Sequence, residues 1–150
     1  MTILALDLGT TMGWAANPNG IIASGTITFR PGRFESSGMR YIRFVAEIKE
    51  LLAKTGAKIV YFEEIRRHLG VDAAHIYGGF LAHLQAMCIE AGVEYCGVPV
   101  GTIKAHATGK GNANKDAMIA AARARGWTPT DDNEADALWI LDWARNQNGG

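Results

Sequence analysis

Two short β-type segments, each ending in a carboxylate and separated by a helix, constrain this chain more than any other feature. Ile3-Leu4-Ala5-Leu6 is an apolar run closed by Asp7, and Leu8-Gly9-Thr10-Thr11 turns the chain at once. Lys58-Ile59-Val60-Tyr61-Phe62 is rich in β-formers and is closed by Glu63, with Glu64 directly behind. Between them, residues 39–54 carry Ile42, Val45, Ile48, Leu51 and Leu52 at helical spacing, and Gly56 marks the stop. Strand, helix and strand in that order predict a parallel crossover. If the two strands are parallel neighbours, Asp7 and Glu63 lie side by side at the carboxyl edge, where open α/β sheets bind ligands. The pleat adds that Ile3, Ala5 and Asp7 share one face, and that Ile59, Tyr61 and Glu63 share one face.

The first strand is read over residues 2–8. Residues 13–16 and 21–29 read as two more strands joined at Asn17-Pro18-Asn19-Gly20, an antiparallel meander. Residues 72–91 form a second helix, 93–98 a short strand, 114–125 a third helix and 133–146 a fourth. The pattern predicts an α/β sandwich with a mixed sheet. One domain over 1–150 is expected, since 48% hydrophobic composition supports a substantial core and no linker or repeat interrupts it. Asn146-Gln147-Asn148-Gly149-Gly150 reads as a flexible tail.

No apolar stretch approaches a membrane span, and no charged segment precedes the first apolar run, so a cytoplasmic protein is expected. Cys88 and Cys96 are too few for a zinc site and read as buried thiols in a reducing compartment. The formal charge is zero, but the charges are sorted. Arg30, Arg33, Arg40 and Arg43 form one basic group, Arg66, Arg67 and His68 a second, and Lys104, His106, Lys110 and Lys115 a third. Such segments around an acidic centre suit a polyanion whose phosphates are held while metal ions do the chemistry.

A third acidic group, Asp131-Asp132-Asn133-Glu134-Ala135-Asp136, opens the last helical pattern. Asp132 and Asp136 are four apart on one face, where like charges repel unless a cation lies between them. Asp132 is read either as a helix-start residue or as a ligand. Glu64 is turned away from Glu63 by the strand alternation. Trp139 and Trp143 read as core, and the four histidines share no metal-binding spacing, His106 being the one to test. Residues 72–91 carry two apolar stripes, more than one sheet face needs, and Gly78-Gly79 would let another backbone approach.

Ile3-Leu4-Ala5-Leu6-Asp7-Leu8-Gly9, Val60-Tyr61-Phe62-Glu63-Glu64-Ile65 and Asn133-Glu134-Ala135-Asp136-Ala137-Leu138, with Pro99, Thr102-Ile103-Lys104, Thr108-Gly109-Lys110-Gly111, Ala113 and Lys115 between, resemble the RuvC-type Holliday junction resolvases, in particular their short phage and prophage relatives. The resemblance spans nearly the whole chain. It implies a ribonuclease H-like fold with a five-stranded sheet, antiparallel in strands 1-2-3 and parallel in 1-4-5. It also implies Mg²⁺-dependent cleavage of four-way DNA by paired nicks, with two ions per site, Mn²⁺ as a substitute, and a homodimer. On this reading Asp7, Glu63 and Asp136 ligate metal with Asp132 or Asn133, Lys104 and Lys115 approach the scissile phosphate, and Lys110, Arg66 and Arg67 contact DNA. Two positions depart from the family: Asn133 stands where an acid or histidine is common, a gap that Asp132 or Glu134 would fill, and Arg66 where better-known members carry an aromatic. The compartment implied is a bacterial cytoplasm, or that of a phage-infected host.

Two other readings differ in class. One is a non-catalytic branched-DNA-binding protein of the same fold. The other follows Asp7-Leu8-Gly9-Thr10-Thr11, which resembles the phosphate loop of sugar kinases, actin and chaperone ATPases, although those proteins use two such domains. Metal-dependent cleavage separates the first from a nuclease.

Overall fold

Strand β1 (Ile3–Asp7) is buried at every position, as an apolar run without alternation must be when both faces of the sheet are covered. It lies at the centre of a five-stranded sheet of order β3-β2-β1-β4-β5 in the computed structural model, which describes residues 1–68 and 70–148. Strand β2 (Thr11–Ala16) returns antiparallel, with Leu4 opposite Ala16 and Asp7 opposite Gly13. A 3₁₀ turn at Pro18–Gly20 reverses the chain, helped by left-handed Asn19 (φ 53°) and Gly20 (φ 79°). Strand β3 (Ala23–Thr28) then pairs antiparallel with β2.

Helix α1 (Met39–Thr55) makes the crossover and stops at Gly56, which takes the left-handed C-terminal position at φ 68°. Strand β4 (Ile59–Glu64) lies parallel to β1, with Ile3 opposite Ile59 and Leu6 opposite Phe62. Helix α2 (Val71–Ala91) leads to β5 (Glu94–Pro99), which is parallel to β4. Three helices follow: α3 (Val100–Thr108), α4 (Lys115–Ala124) and α5 (Asp132–Gln147).

The pleat sorts the core into two layers. Leu4, Leu6, Val60 and Phe62 face α1 and α2, where Phe29, Phe44 and Phe80 form an aromatic cluster. Ile3, Ala5, Ile59 and Tyr61 face the other way, against the buried stripe of α5 from Ala135 to Ala144. Asp7 and Glu63 continue that second set by alternation and therefore point toward α5.

The predicted fold class and strand pairing hold, and several local expectations are corrected. Helix α3 stands where the sequence reads as loop. Val100-Gly101-Thr102 is a poor helical start, and the helix is sustained by tertiary packing of Ile103, which is buried. The expected flexible tail is helical through Gln147, and Asn148 donates to the Tyr61 hydroxyl (3.0 Å) and to Ala144 O (2.7 Å). Gly149 and Gly150 lie outside the described residues. Cys88 is buried as expected, whereas Cys96 is exposed on the edge strand. Gly79 admits not a second backbone but the ring of Tyr41, which would lie 2.6 Å from an added Cβ.

Candidate metal centre

Asp7, Glu63 and Asp136 each bring a carboxylate oxygen to within 4.8 Å of the others. Asp7 ends β1 and Glu63 sits one position beyond the Leu6–Phe62 pair on β4, so the parallel register itself sets them side by side. The Tyr77 hydroxyl steadies that edge from α2, donating to Glu63 O (2.8 Å) and accepting from the Ile65 N–H (3.3 Å).

Asp136 arrives from the second turn of α5, and the placement of that helix depends on small residues and a cap. The Asp131 carboxylate accepts from the Glu134 N–H (2.8 Å) and caps the helix. Glu134 reaches back to the Thr130 N–H (2.9 Å) and hydroxyl (3.0 Å), and it also accepts from the Ser24 hydroxyl (2.6 Å), tying the helix start to β3. Gly13, which faces Asp7 across the β1–β2 ladder, has no Cβ to obstruct the approach. A Cβ there would stand 1.8 Å from the Asn133 carbonyl oxygen.

Three carboxylates so close, with Asp7 and Glu63 buried, cannot all ionise cheaply without a cation. Burial pushes Asp7 well above the usual carboxylate range, and the charges of Glu63 and Asp136 push it further. Glu63 is raised by burial, opposed by its hydrogen bond to Asp7 and by the Lys104 ammonium. Asp136 is pushed up to about 7 by burial and by Glu63 and Asp132, with Lys104 and Lys115 opposing. The donor set is all hard oxygen, which fits Mg²⁺ or Mn²⁺, and a bound divalent ion would replace the protons that otherwise relieve the repulsion.

The remaining site candidates surround this cluster at different depths. Lys104, half-buried on α3, and Lys115, the exposed first residue of α4, are the cations that act on the triad. Lys115 also lies 3.9 Å from Asp132. Asp132 stands at the rim of the triad and raises both Asp7 and Asp136. The Asn133 amide donates to the Asp131 carboxylate (3.4 Å). Arg66 pairs with Glu64 (2.7 Å), while Arg67 and Lys110 are exposed. His106, far from a metal cage, bonds Asp142 (2.8 Å), which also accepts two bonds from Arg125 (2.8 and 3.2 Å). That buried carboxylate ties α3 to α5 and holds the loop after α4. The sequence reading did not find Gly13, Tyr77, Asp131 or Asp142, because each acts through a partner remote in sequence or through a cap whose register was undetermined.

Among solved structures, the chain matches the RuvC of Thermus thermophilus in complex with a Holliday junction substrate at a TM-score of 0.79 and 22% identity, over 98% of this chain and 96% of that one. The chain has the ribonuclease H-like fold of the RuvC resolvases. A second structure of T. thermophilus RuvC matches at a TM-score of 0.74 and 23% identity, over 98% and 97% of the two chains. The yeast mitochondrial Holliday junction resolvase Ydc2 matches at 0.69 and 10% identity, over 97% of this chain and 78% of that one. No family model and no curated protein matches the sequence. No described helix is long and apolar enough to cross a membrane.

Proposed function

We propose that this chain is a divalent-metal-dependent, structure-selective DNA endonuclease that resolves four-way junctions by paired nicks. The observation that carries the proposal is the convergence of Asp7, Glu63 and Asp136 on one point of a RuvC-type fold. Asp7, Glu63 and Asp136, with Asp132 or Asn133, would hold two Mg²⁺ ions, for which Mn²⁺ would substitute. When bound, the ions supply an activated water and charge stabilisation at the leaving oxygen.

The chain's own residues do the rest. The β1–β4 register and the Tyr77 bridge hold Asp7 and Glu63 in place before substrate arrives, so little reorganisation is left for the reaction. Lys104 and Lys115 offset charge on the scissile or adjacent phosphate, and Lys110, Arg66 and Arg67 extend the basic rim along the backbone of the DNA arms. Two strands related by near-twofold symmetry must be cut. A homodimer places two such sites symmetrically, and the outer face of α2, where Gly78 is open, is the surface proposed for it. The compartment is the bacterial cytoplasm or that of a phage-infected host.

The test incubates purified protein with a labelled four-way junction and a matched linear duplex, with and without Mg²⁺, beside Asp7→Asn. Symmetric nicks in the junction alone, absent without metal and in the variant while junction binding survives, are expected. Junction binding without cleavage under any divalent ion would instead establish a non-catalytic branched-DNA-binding protein. Neither binding nor cleavage would return the chain to the nucleotide-phosphate reading of its Asp7-Leu8-Gly9-Thr10-Thr11 turn.

A further inference from the structure

Phe34 is 93% exposed, more than any other large apolar side chain among the described residues. It does not sit on a loose segment. The loop that carries it leaves β3 through Phe29, whose ring is buried among Phe44 and Phe80 and whose N–H donates to Thr10 O (2.7 Å). Three residues on, Gly32 opens a tight turn that Glu35 closes: the Glu35 N–H donates to Gly32 O (3.1 Å), and the Gly32 N–H donates to the Glu35 carboxylate (2.7 Å). Glu35 is in turn paired with Arg43 of α1. Phe34 is thus held at the apex of a braced turn with its ring in solvent, and the Arg33 guanidinium covers it at 5.4 Å from the ring centroid.

The sheet topology decides where this ring stands. Strand β3 is antiparallel to β2, which is antiparallel to β1, so β3 runs parallel to β1 and its loop leaves from the edge that carries Asp7. The Phe29–Thr10 bond joins the base of the loop to the turn that follows Asp7. An aromatic ring with one open face, flanked by exposed Arg30 and Arg33 at the edge of a phosphodiester-cleaving site, has the chemistry of a base-stacking platform.

We infer that Phe34 stacks on an unpaired or unstacked nucleobase of branched DNA beside the branch point, with Arg30 and Arg33 on the adjoining phosphates. The inference rests on the branched-DNA reading above. It assigns the contact to the β3–α1 loop and to this chain's own aromatic, on a different element from Arg66, whose guanidinium is engaged by Glu64.

The test uses four-way junctions with 2-aminopurine placed singly at positions flanking the branch point. Binding and fluorescence are followed for Asp7→Asn protein and for the same protein carrying Phe34→Ala, Phe34→Leu or Phe34→Trp, so that no cleavage intervenes. Since Phe34 makes no core contact, melting temperatures should be unchanged. The expected result is a fluorescence change at one or two positions on binding of the parent. In Phe34→Ala and Phe34→Leu this change is lost at saturation, with junction affinity weakened by about tenfold, and Phe34→Trp restores both. If Phe34→Ala binds and perturbs the junction as the parent does, the inference falls while the DNA reading stands. If the parent binds no junction, the DNA reading falls and takes the inference with it. A changed molar mass for Phe34→Ala in light scattering would assign the ring to a protein contact and overturn the inference as well.

Discussion

At Asp136 the balance between proton and metal is set by neighbours that are themselves acids. Burial with Glu63 and Asp132 nearby holds its carboxyl at about 7, where a free aspartate titrates near 3.8. Between those values the metal-free folded protein keeps a proton that the unfolded chain has released, so this group's contribution to stability is present below about pH 3.8 and is lost as the pH rises through about 7. Asp7 and Glu63, also raised, act in the same direction. A bound divalent ion would displace these protons. The melting temperature of metal-free protein should therefore fall more steeply from pH 5 to pH 8 than that of Asp136→Asn. Added Mg²⁺ should raise the melting temperature of the parent far more at pH 8 than at pH 5, and calorimetric melts across that range check both. Lys104 opposes the rise at Glu63 and Asp136, so in Lys104→Ala the onset of Mg²⁺ stabilisation should move to higher pH.

The start of α5 is the element on which the third carboxylate depends. Its cap at Asp131, the Glu134 bonds to Thr130 and Ser24, and the bare Cα of Gly13 fix its height and angle over β1 and β2. A methyl group at Gly13 meets backbone, not a yielding side chain, so the helix would have to move. Gly13→Ala should destabilise the protein by about 2–3 kcal/mol in urea unfolding. It should also weaken Mg²⁺ binding read by the melting shift, whereas Gly78→Ala, at an open position, should do neither. The sequence marks this element well in its apolar stripe and poorly in its cap. Asp131, Asp132 and Asn133 are all good cap residues, and only the bond from the Glu134 N–H selects the first. Helix α3 was illegible for the opposite reason, since its local propensity is weak and the burial of Ile103 outweighs it.

For the molecule as a whole, the paired cleavage proposed above depends on assembly. The face of α2 turned from the sheet carries Gly78 and Ala82, both exposed, with Val71 and Ile89 exposed toward its ends. Beyond the adjoining backbone of α2 itself, no described atom lies within 4 Å of a Cβ at Gly78, so Gly78→Arg fits the isolated fold while placing a charge in the proposed dimer contact. Light scattering should show the proposed dimer reduced to a monomer, and junctions should receive single nicks in place of paired ones. The Mg²⁺ melting shift should be retained. An unchanged mass would place the contact elsewhere.

The sequence by itself determined the sheet and the identity of its acids. Uniformly apolar β1, the helical spacing before Gly56 and the alternation that sends Ile3, Ala5 and Asp7 to one face are local periodicities, and such patterns survive without knowledge of what packs against them. It also placed Asp136 on a helix. Only the tertiary structure decided that this helix lies over β1, close enough for three carboxylates to meet within 4.8 Å, because that depends on Gly13 yielding space to Asn133, 120 residues away. It likewise separated acids that look alike in sequence: the charge of Asp132 acts on Asp7 and Asp136, Glu134 anchors the helix, and Asp142 joins α5 to His106 and Arg125. Residue type and spacing record which groups are available, while pairings between distant parts of the chain are fixed by packing, and the chemistry of this site lies in those pairings.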